Sequence, residues 1–291
     1  MQLTWDNIDK LVAGKELRVD TANEHGDASS SASTPRPSDS IRSSNCTGSQ
    51  RLTLTLPRLT APLSSSPEAL TIVCVKWGTL YGAEYANKLS RGVRRALGPS
   101  LVRCVVCFTD DAQGLDEDID VRPLGAKNCG WKGWWHKAHI FSSAADLHGR
   151  VLYLDLDTVI VDGVSLAPLA AYTGSFATLS TRDFDAEEGY TDGYNTSAML
   201  WNADGIVGEA LRALHTKLRA EVFMCLMRWD HWVEMLVQDA DLLQDVFPTL
   251  FADYRQHCRQ SGPPDGAAII CFPRNPKPHE VEDDWVRRYW R

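Results

Sequence analysis

Short apolar runs alternate with longer mixed segments from about Leu70 to the C-terminus, and this alternation predicts an α/β fold. TIVCVKW and LVRCVVCF have the length of buried strands, and YANKLSRGVRRAL between them has apolar residues at helical spacing. The folded part is therefore expected to begin with a β-α-β unit. Further strands are predicted in RVLYLDLD, around SFATL and in YNTSAMLWN, and further helices in GIVGEALRALHTKL and HWVEMLVQDADLLQDV.

The N-terminal region has a different composition. Residues from about Thr21 to Pro67 are dominated by Ser, Thr, Pro and small polar residues, and they show no sustained apolar period. Such a segment cannot bury enough apolar surface to fold. We therefore divide the chain into a low-complexity, disordered leader at residues 1–67 and one folded domain at residues 68–291.

Charge and hydrophobicity exclude several classes of protein. Among the 291 residues, 44% are hydrophobic and 23% charged, which is typical of a globular protein. The net charge of -8 repels polyanions, so nucleic acid is not an expected partner. No apolar run reaches the roughly 18 to 20 residues that span a bilayer, and residues 1–10 lack the pattern of a secretory signal. A soluble product without a transmembrane segment is expected. Its compartment is left open by the sequence, which is compatible with the cytoplasm and with an association with the Golgi.

Several of the eight cysteines lie inside apolar strand-like runs, which indicates reduced, buried thiols. Cys104 and Cys107 have the spacing of a metal or redox pair. On an extended strand, however, residues three apart point to opposite faces, so a shared site is not expected there.

The strongest candidate for chemistry follows a predicted strand. In VLYLDLDTVIV, Asp155 and Asp157 are two residues apart, so on an extended chain both carboxylates point the same way. If the strand is central and parallel, they lie where open α/β sheets bind ligands. Two convergent carboxylates supply oxygen ligands. Such ligands suit a Mn²⁺ or Mg²⁺ ion that also binds a diphosphate. The alternative is a pair of solvated acids at a strand end.

Six segments, taken in order, resemble glycosyltransferase family 8, the retaining, glycogenin-like group. They are TIVCVKWGTLYGAEY, WWHKAHIF, LYLDLDTVIV, DGYNTSAMLW, RWDHW and CFPRNPKPH. The resemblance implies a GT-A fold: a single Rossmann-like mixed sheet flanked by helices, with the Asp-x-Asp motif at the end of a central strand. It also implies a metal-dependent transferase that takes a UDP-sugar as its donor.

Carried over by position, the resemblance assigns Trp77, Thr79 and Tyr85 to the nucleotide and Lys137 to the donor sugar and diphosphate. For Trp77 and Tyr85, packing between a strand and its helix is an equally good interpretation. The neighbouring tryptophans could stack on a sugar, although large aromatic side chains clustered in one segment more often anchor a core. They are Trp131, Trp134 and Trp135.

The resemblance places Asn195 beside the transferred sugar and Asp230 in the place of the aspartate of the family's Asp-Gln pair. Asn195 could instead hydrogen-bond its own backbone. His231 stands where the family has glutamine, which is a departure from the pattern.

CFPRNPKPH resembles the family's HFxGxxKPW, in which histidine is a metal ligand and lysine contacts the diphosphate. Lys277 is kept, but Cys271 replaces the histidine, Arg274 the glycine and His279 the tryptophan. A thiolate is softer than Mn²⁺ or Mg²⁺ prefers. Cys271 is therefore a poor candidate metal ligand, and His279, eight residues on, can replace it only if the loop folds back. Arg274 and Lys277 are candidate diphosphate ligands.

The sequence favours sugar transfer from a nucleotide-sugar to a carbohydrate, protein or small-molecule acceptor. One alternative is a nucleotide-sugar-binding module that has lost turnover, because the replacements at His231, Cys271 and Arg274 fall on the site. Another is a haloacid-dehalogenase-type phosphatase, because DLDTVI also fits that group's motif. That motif normally ends the first strand of its domain, whereas here a strand, a helix and a second strand come first.

Overall fold

The computed structural model describes residue 64, residues 66–125, residue 131, and residues 133–184, 193–216, 226 and 228–291. Nearly all of the predicted leader lies outside these residues, so its predicted disorder stays a prediction. Within the described residues, none of the helices combines the length and the apolar content needed to cross a membrane.

The centre of the fold is a mixed sheet, which has seven strands among the described residues in the order β3-β2-β1-β4-β7-β6-β8. The first four of these run parallel, β7 is antiparallel to both of its neighbours, and β8 is parallel to β6. β4, which carries the Asp-x-Asp motif, is therefore central, as the sequence predicts. The strands are β1 Leu70–Lys76, β2 Val102–Thr109, β3 Ile119–Pro123, β4 Arg150–Leu154, β6 Phe176–Ser180, β7 Tyr194–Asn202 and β8 Asp241–Leu242.

The predicted β-α-β unit is confirmed. β1 and β4 are buried along their whole length, as expected for parallel strands covered on both faces. Helix α1, Ala83–Leu97, connects β1 to β2 and buries one face, including Leu89 and Val93. It ends at Gly98, whose φ of 75° is a conformation that glycine adopts readily.

A second, smaller sheet adds to the single sheet that the sequence predicts. Among the described residues it has three strands, β5 Thr158–Ile160, β10 Ile269–Cys271 and β9 Phe251–Asp253, in that order. Cys271 pairs with Thr158, the residue after Asp157, so the C-terminal part of the chain is brought beside the Asp-x-Asp motif. Chain segments more than 100 residues apart in sequence thus meet at one edge of the large sheet.

The remaining helices pack around these sheets. They are the 3₁₀ helix Gly133–Phe141 and the α-helices α2 Ala167–Ala170, α3 Ile206–His215, α4 Trp229–Leu236, α5 Leu243–Val246 and α6 Asp284–Tyr289. Short 3₁₀ helices cover Ser143–Ala145, Thr181–Asp183 and Pro278–Glu280, and a π-helix covers Tyr254–Cys258.

The prediction from the sequence is wrong for one helix. It predicts a continuous helix over residues 231–246, but α4 ends at Leu236 and α5 begins at Leu243, with β8 between them. The phenol of Tyr194 bonds the chain at this break, donating to the carbonyl of Gln238 and accepting from the amide of Ala240. Pairing of β8 with β6 then replaces the helical bonds that the local pattern favours.

The described cysteines are free thiols, and all except Cys104 are buried. Burial is thus confirmed for four of them, and their reduced state stays a prediction. Cys107 lies opposite Cys74 in the backbone register of β1 and β2, and no disulfide joins the two. The thiol of Cys104 instead contacts the hydroxyl of Thr71. The two cysteines of the CxxC spacing therefore point to different surroundings, as the strand geometry predicts.

Candidate functional site

A cavity of about 570 Å³ lies at one edge of the large sheet. It is bounded by residues at the carboxyl ends of β1 and β4, just after the end of β6, and at the start of the antiparallel β7. This is the edge at which open α/β sheets bind their ligands. The sequence-predicted residues on its wall are Trp77, Trp134, Lys137, Asp155, Asp157, Asn195, Asp230, Arg274 and Lys277.

The cavity has a local excess of positive charge in an acidic protein. Its wall includes four basic and three acidic side chains, although the whole chain has a net charge of -8. The basic ones are Lys137, Arg228, Arg274 and Lys277, and the acidic ones are Asp155, Asp157 and Asp230. The wall of the cavity therefore suits an anionic ligand.

Asp155 accepts hydrogen bonds from one tyrosine and one lysine. The phenol of Tyr153 donates to its Oδ1 at 2.7 Å, and Nζ of Lys137 lies 2.8 and 2.9 Å from its two oxygens. Burial alone would lower the pKa of Lys137, but attraction to Asp155 and Asp230 outweighs it and raises that pKa. Lys137 is therefore a fixed positive charge.

Asp157 has the same kind of partners on the other side of Leu156. Nζ of Lys277 donates to its Oδ2 at 2.7 Å, and the phenol of Tyr81 donates to the same oxygen at 3.0 Å. Burial and the charge of Asp155 raise the pKa of Asp157, although Lys277 and Tyr81 oppose the shift. Each carboxylate of the motif is thus held by one lysine and one tyrosine.

A bulge in β7 brings further polar groups to the cavity. Thr178 of β6 pairs with Met199, but the next residue, Leu179, pairs with Asn195, so residues 196–198 form the bulge. The hydroxyl of Thr178 lies within hydrogen-bonding distance of the carbonyls of Asn195, just before the bulge, and Ala198, its last residue, at 3.2 and 3.1 Å. Bulges of this kind often re-aim side chains next to active sites.

Asp230 and Asn195, both candidate site residues, hold this bulge. Asp230 Oδ1 accepts from both the amide and the hydroxyl of Thr196, and the Asn195 side chain accepts from the amide of Ser197. Nζ of Lys137 lies 3.4 Å from the carbonyl of Thr196. Asn195 therefore makes the local backbone bond considered in the sequence and also lines the cavity.

The aromatic residues divide between the cavity and the core. Trp135 is buried and packs against Trp229, as a core anchor does. Trp134 is 52% exposed on the cavity wall and lies one 3₁₀ turn before Lys137. Trp77 also lines the cavity, and its ring stacks on that of His136 with 5.2 Å between the ring centroids. Residues three apart share a face of a 3₁₀ helix, so Trp134 and Lys137 are presented on the same side.

The structure does not bring four of the sequence-predicted residues to the cavity wall. Tyr85 is 2% exposed and its phenol bonds Nδ1 of the exposed His279, while Thr79 lies on an exposed turn. Cys271 is 1% exposed within β10, and burial raises the pKa of its thiol well above the ordinary value. A neutral, enclosed thiol is a poor ligand for a hard cation.

Two tyrosines were missed by the sequence analysis. Tyr153 precedes Asp155 by two residues on an extended strand, so the alternation of side chains could have placed its phenol on the same face. Tyr81 gives no such signal, because it contacts Asp157 only through the folding of the loop after β1. The sequence analysis also missed Arg228, which precedes α4 and lines the cavity.

The donor set at the end of β4 fits a divalent cation that completes its coordination with oxygens of a substrate. Asp155 and Asp157 line the same cavity, and Mg²⁺ in proteins is commonly held by one or two carboxylates together with substrate phosphates. Within the described parts of the chain, no group of three or more His, Cys, Asp or Glu side chains is arranged to hold a metal. The protein's contribution would therefore be these two carboxylates.

No family model matches this sequence, and no curated protein matches it either.

Among solved structures, the fold is similar to that of the galactosyltransferase LgtC in complex with donor and acceptor sugar analogs. The TM-score is 0.51 and the identity 13%, over 75% of this chain and 93% of that chain. It is also similar to the apo-form glycosyltransferase GlyE of Streptococcus pneumoniae TIGR4, with a TM-score of 0.51 and 13% identity, over 77% of this chain and 59% of that one. The fold is thus the GT-A fold that the sequence predicts.

Proposed function

We propose that this protein is a glycosyltransferase that moves a sugar from a nucleotide-diphospho-sugar, a UDP-sugar, to a hydroxyl group of a carbohydrate, protein or small-molecule acceptor. One observation carries the proposal. In a GT-A fold, Asp155 and Asp157 meet Lys137 and Lys277 in one cavity at the carboxyl ends of the central strands. The excess of basic side chains on this wall suits an anionic donor.

The donor's diphosphate binds near Asp157, where Lys277 and Arg274 supply positive charge from the loop after β10. Arg274 can form the forked pair of hydrogen bonds that suits phosphate oxygens. Trp77, on the loop after β1, offers an aromatic ring to the nucleotide base. Tyr85 has no direct part in base binding in this proposal, because it is buried and bonded to His279.

Asp155 and Asp157 hold Mn²⁺ or Mg²⁺ in this proposal. When bound, the cation supplies positive charge to the diphosphate as it leaves. Lys137 stays inside the cavity, paired with Asp155, and contacts the donor sugar. The amide of Asn195 is placed to meet sugar hydroxyls at the start of β7.

The reaction breaks the bond between the anomeric carbon and the diphosphate oxygen and forms a bond from that carbon to the acceptor oxygen. Anomeric configuration is retained by attack on the face that the diphosphate leaves, and the acceptor's proton passes to an oxygen of the leaving diphosphate. Asp230 supplies a fixed negative charge near the oxocarbenium-like centre. Its position is set by the two bonds that it accepts from Thr196.

The test is nucleotide release from a panel of UDP-sugars with Mn²⁺, with Mg²⁺ or with a chelator. The intact protein is compared with the double variant Asp155→Asn/Asp157→Asn and with Arg91→Ala, an exposed residue of α1 outside the cavity. We expect cation-dependent release from one sugar, lost in the double variant and kept in the control. Product stereochemistry, read by NMR, tests retention. Release that persists in the double variant would overturn the proposal.

A second candidate is a nucleotide-sugar-binding module without turnover. The observation that favours it is the enclosure of Cys271, which replaces the family's ligand histidine, together with the bonding of His279 to Tyr85 outside the cavity wall. Binding of UDP without release from any UDP-sugar would support this candidate over the enzyme.

A further inference from the structure

Lys277 is held differently from Lys137. Nζ of Lys137 contacts both oxygens of Asp155 and lies 3.4 Å from the carbonyl of Thr196. Nζ of Lys277 contacts one oxygen of Asp157 and the carbonyl of Phe272, at 2.7 and 2.6 Å. Its long side chain comes from a loop that carries other diphosphate-binding candidates, so it can reach either the carboxylate or a ligand beside it.

The backbone of Lys277 is fixed while its side chain can change partner. Its amide donates to the side chain of Glu280 at 2.6 Å, and its carbonyl accepts from the amide of Glu280 at 2.9 Å. These bonds close the 3₁₀ turn Pro278–Glu280 immediately after it. A movement of the ammonium group from Asp157 to a phosphate therefore needs rotation of the side chain and no refolding of the loop.

The charges at Asp157 make this exchange depend on a cation. Asp157 is buried, and Lys277 neutralises it at 2.7 Å. If a diphosphate draws Lys277 away, the carboxylate loses its counter-ion in a buried position, which is strongly unfavourable. A divalent cation at Asp157 removes that cost. Conversely, a cation that arrives alone must compete with Lys277 for the carboxylate.

We propose that Lys277 is a built-in counter-ion that occupies the place of the divalent cation at Asp157 until a nucleoside diphosphate arrives, so that cation and diphosphate bind cooperatively and each binds weakly alone. This inference rests on the proposed function, because it assumes a diphosphate ligand in this cavity. It adds a competition between Lys277 and the cation for Asp157, which the proposed function does not require. Lys137 keeps its place on Asp155 in both states.

The test measures binding of Mn²⁺ to the full chain by electron paramagnetic resonance, without nucleotide and with saturating UDP, which has no sugar to transfer. For the intact protein we expect UDP to increase the affinity for Mn²⁺ by about tenfold or more, the usual size of coupling between two sites. In Lys277→Met, we expect Mn²⁺ to bind more tightly than in the intact protein without UDP. Because phosphate oxygens still complete the coordination of the cation in this variant, we expect UDP to increase its Mn²⁺ affinity by a clearly smaller factor than in the intact protein, and not by the same factor. Lys88→Met is the control, because that ammonium lies over the ring of Trp290, outside the cavity wall.

The outcomes separate this inference from the proposed function. If UDP binds but leaves the affinity for Mn²⁺ unchanged, the coupling is wrong while a nucleotide-sugar site still stands. If Lys277→Met binds Mn²⁺ no more tightly than the intact protein without UDP, Lys277 is not the competing counter-ion. If UDP does not bind at all, both proposals fail. Should Lys277→Met not fold, as judged by circular dichroism, Lys277→Gln takes its place in the same comparison, because it also removes the charge while keeping a long side chain.

Discussion

Asp230 fixes the bulge of β7 through Thr196. Its Oδ1 accepts the backbone amide of Thr196 at 2.8 Å and the hydroxyl of the same residue at 2.7 Å. The residue proposed to act on the transferred sugar therefore also supports the strand that carries Asn195 to the cavity. Position and charge are two separate contributions of one carboxylate, and they can be separated by substitution.

Asp230→Asn keeps an oxygen that can accept both bonds from Thr196 but removes the negative charge. We expect the melting temperature to stay close to that of the intact protein and the transfer rate to fall about tenfold or more, since each tenfold corresponds to about 1.4 kcal/mol of barrier. Asp230→Ala loses both bonds and should unfold more easily, by about 1–3 kcal/mol. Asparagine at full transfer rate, with Asp155→Asn inactive, would contradict the electrostatic role.

Tyr81→Phe removes the phenol that donates to Asp157 at 3.0 Å and keeps the ring. Unlike the ammonium of Lys277, the phenol carries no charge that competes with a cation, and it orients the carboxylate. Because a typical hydrogen bond contributes about 1 kcal/mol, we expect loss of this orientation to lower the affinity for Mn²⁺ in the presence of UDP several-fold. Tyr254→Phe is a matched control, since its phenol donates to Asp283, outside the cavity wall. Equal losses of affinity in the two variants would show that the effect is general and not local to Asp157.

Trp134→Ala removes a ring that is 52% exposed on the cavity wall. If the ring stacks on the acceptor, we expect the KM for the acceptor to rise about tenfold, while hydrolysis of the nucleotide-sugar without acceptor changes little. Trp134→Phe should recover part of the loss. The control is Ile206→Ala, which alters an exposed apolar residue outside the wall. An unchanged acceptor KM would remove Trp134 from the acceptor site.

Cys271→Ser tests whether Cys271, which stands where the resembled family has a ligand histidine, binds the cation. Because Cys271 is 1% exposed and does not line the cavity, we expect affinity for Mn²⁺ with UDP to stay within about twofold. Burying a hydroxyl in place of the thiol should lower the free energy of unfolding by about 1–3 kcal/mol, measured in urea. A large loss of Mn²⁺ affinity in a folded variant would make Cys271 a ligand after all.

Gly92 allows α1 to pack closely on β5, the strand that follows Asp157. A Cβ added at Gly92 would lie 2.9 Å from Cβ of Ile160, closer than real contacts allow. We expect Gly92→Ala to lower the free energy of unfolding by about 1–3 kcal/mol despite the better helix propensity of alanine. Arg91→Ala, which removes an exposed ion pair with Asp116, should change it by about 1 kcal/mol or less. A more stable Gly92→Ala would show that β5 can move away at little cost.

Local sequence patterns determined most of the sheet. The buried strands appear in the sequence as continuous apolar runs, and α1 appears as apolar residues at helical spacing. Both patterns arise because a strand or helix places apolar residues on the faces that it buries. For the same reason Asp155 and Asp157, two apart on a strand, could be placed together, and the structure brings both to one cavity. The family resemblance added Lys137, Arg274 and Lys277, which the structure also brings there.

Tertiary structure alone decided the partners of these residues and the break in one helix. Tyr81 reaches Asp157 across 76 positions of sequence, and Lys277 reaches it across 120, so no local pattern records either contact. Cys271 and His279 looked like metal ligands by position. Cys271 is instead buried within β10, and His279 is hydrogen-bonded to Tyr85. A residue type and its place in a motif specify what chemistry is possible, but packing decides which atoms face the same space.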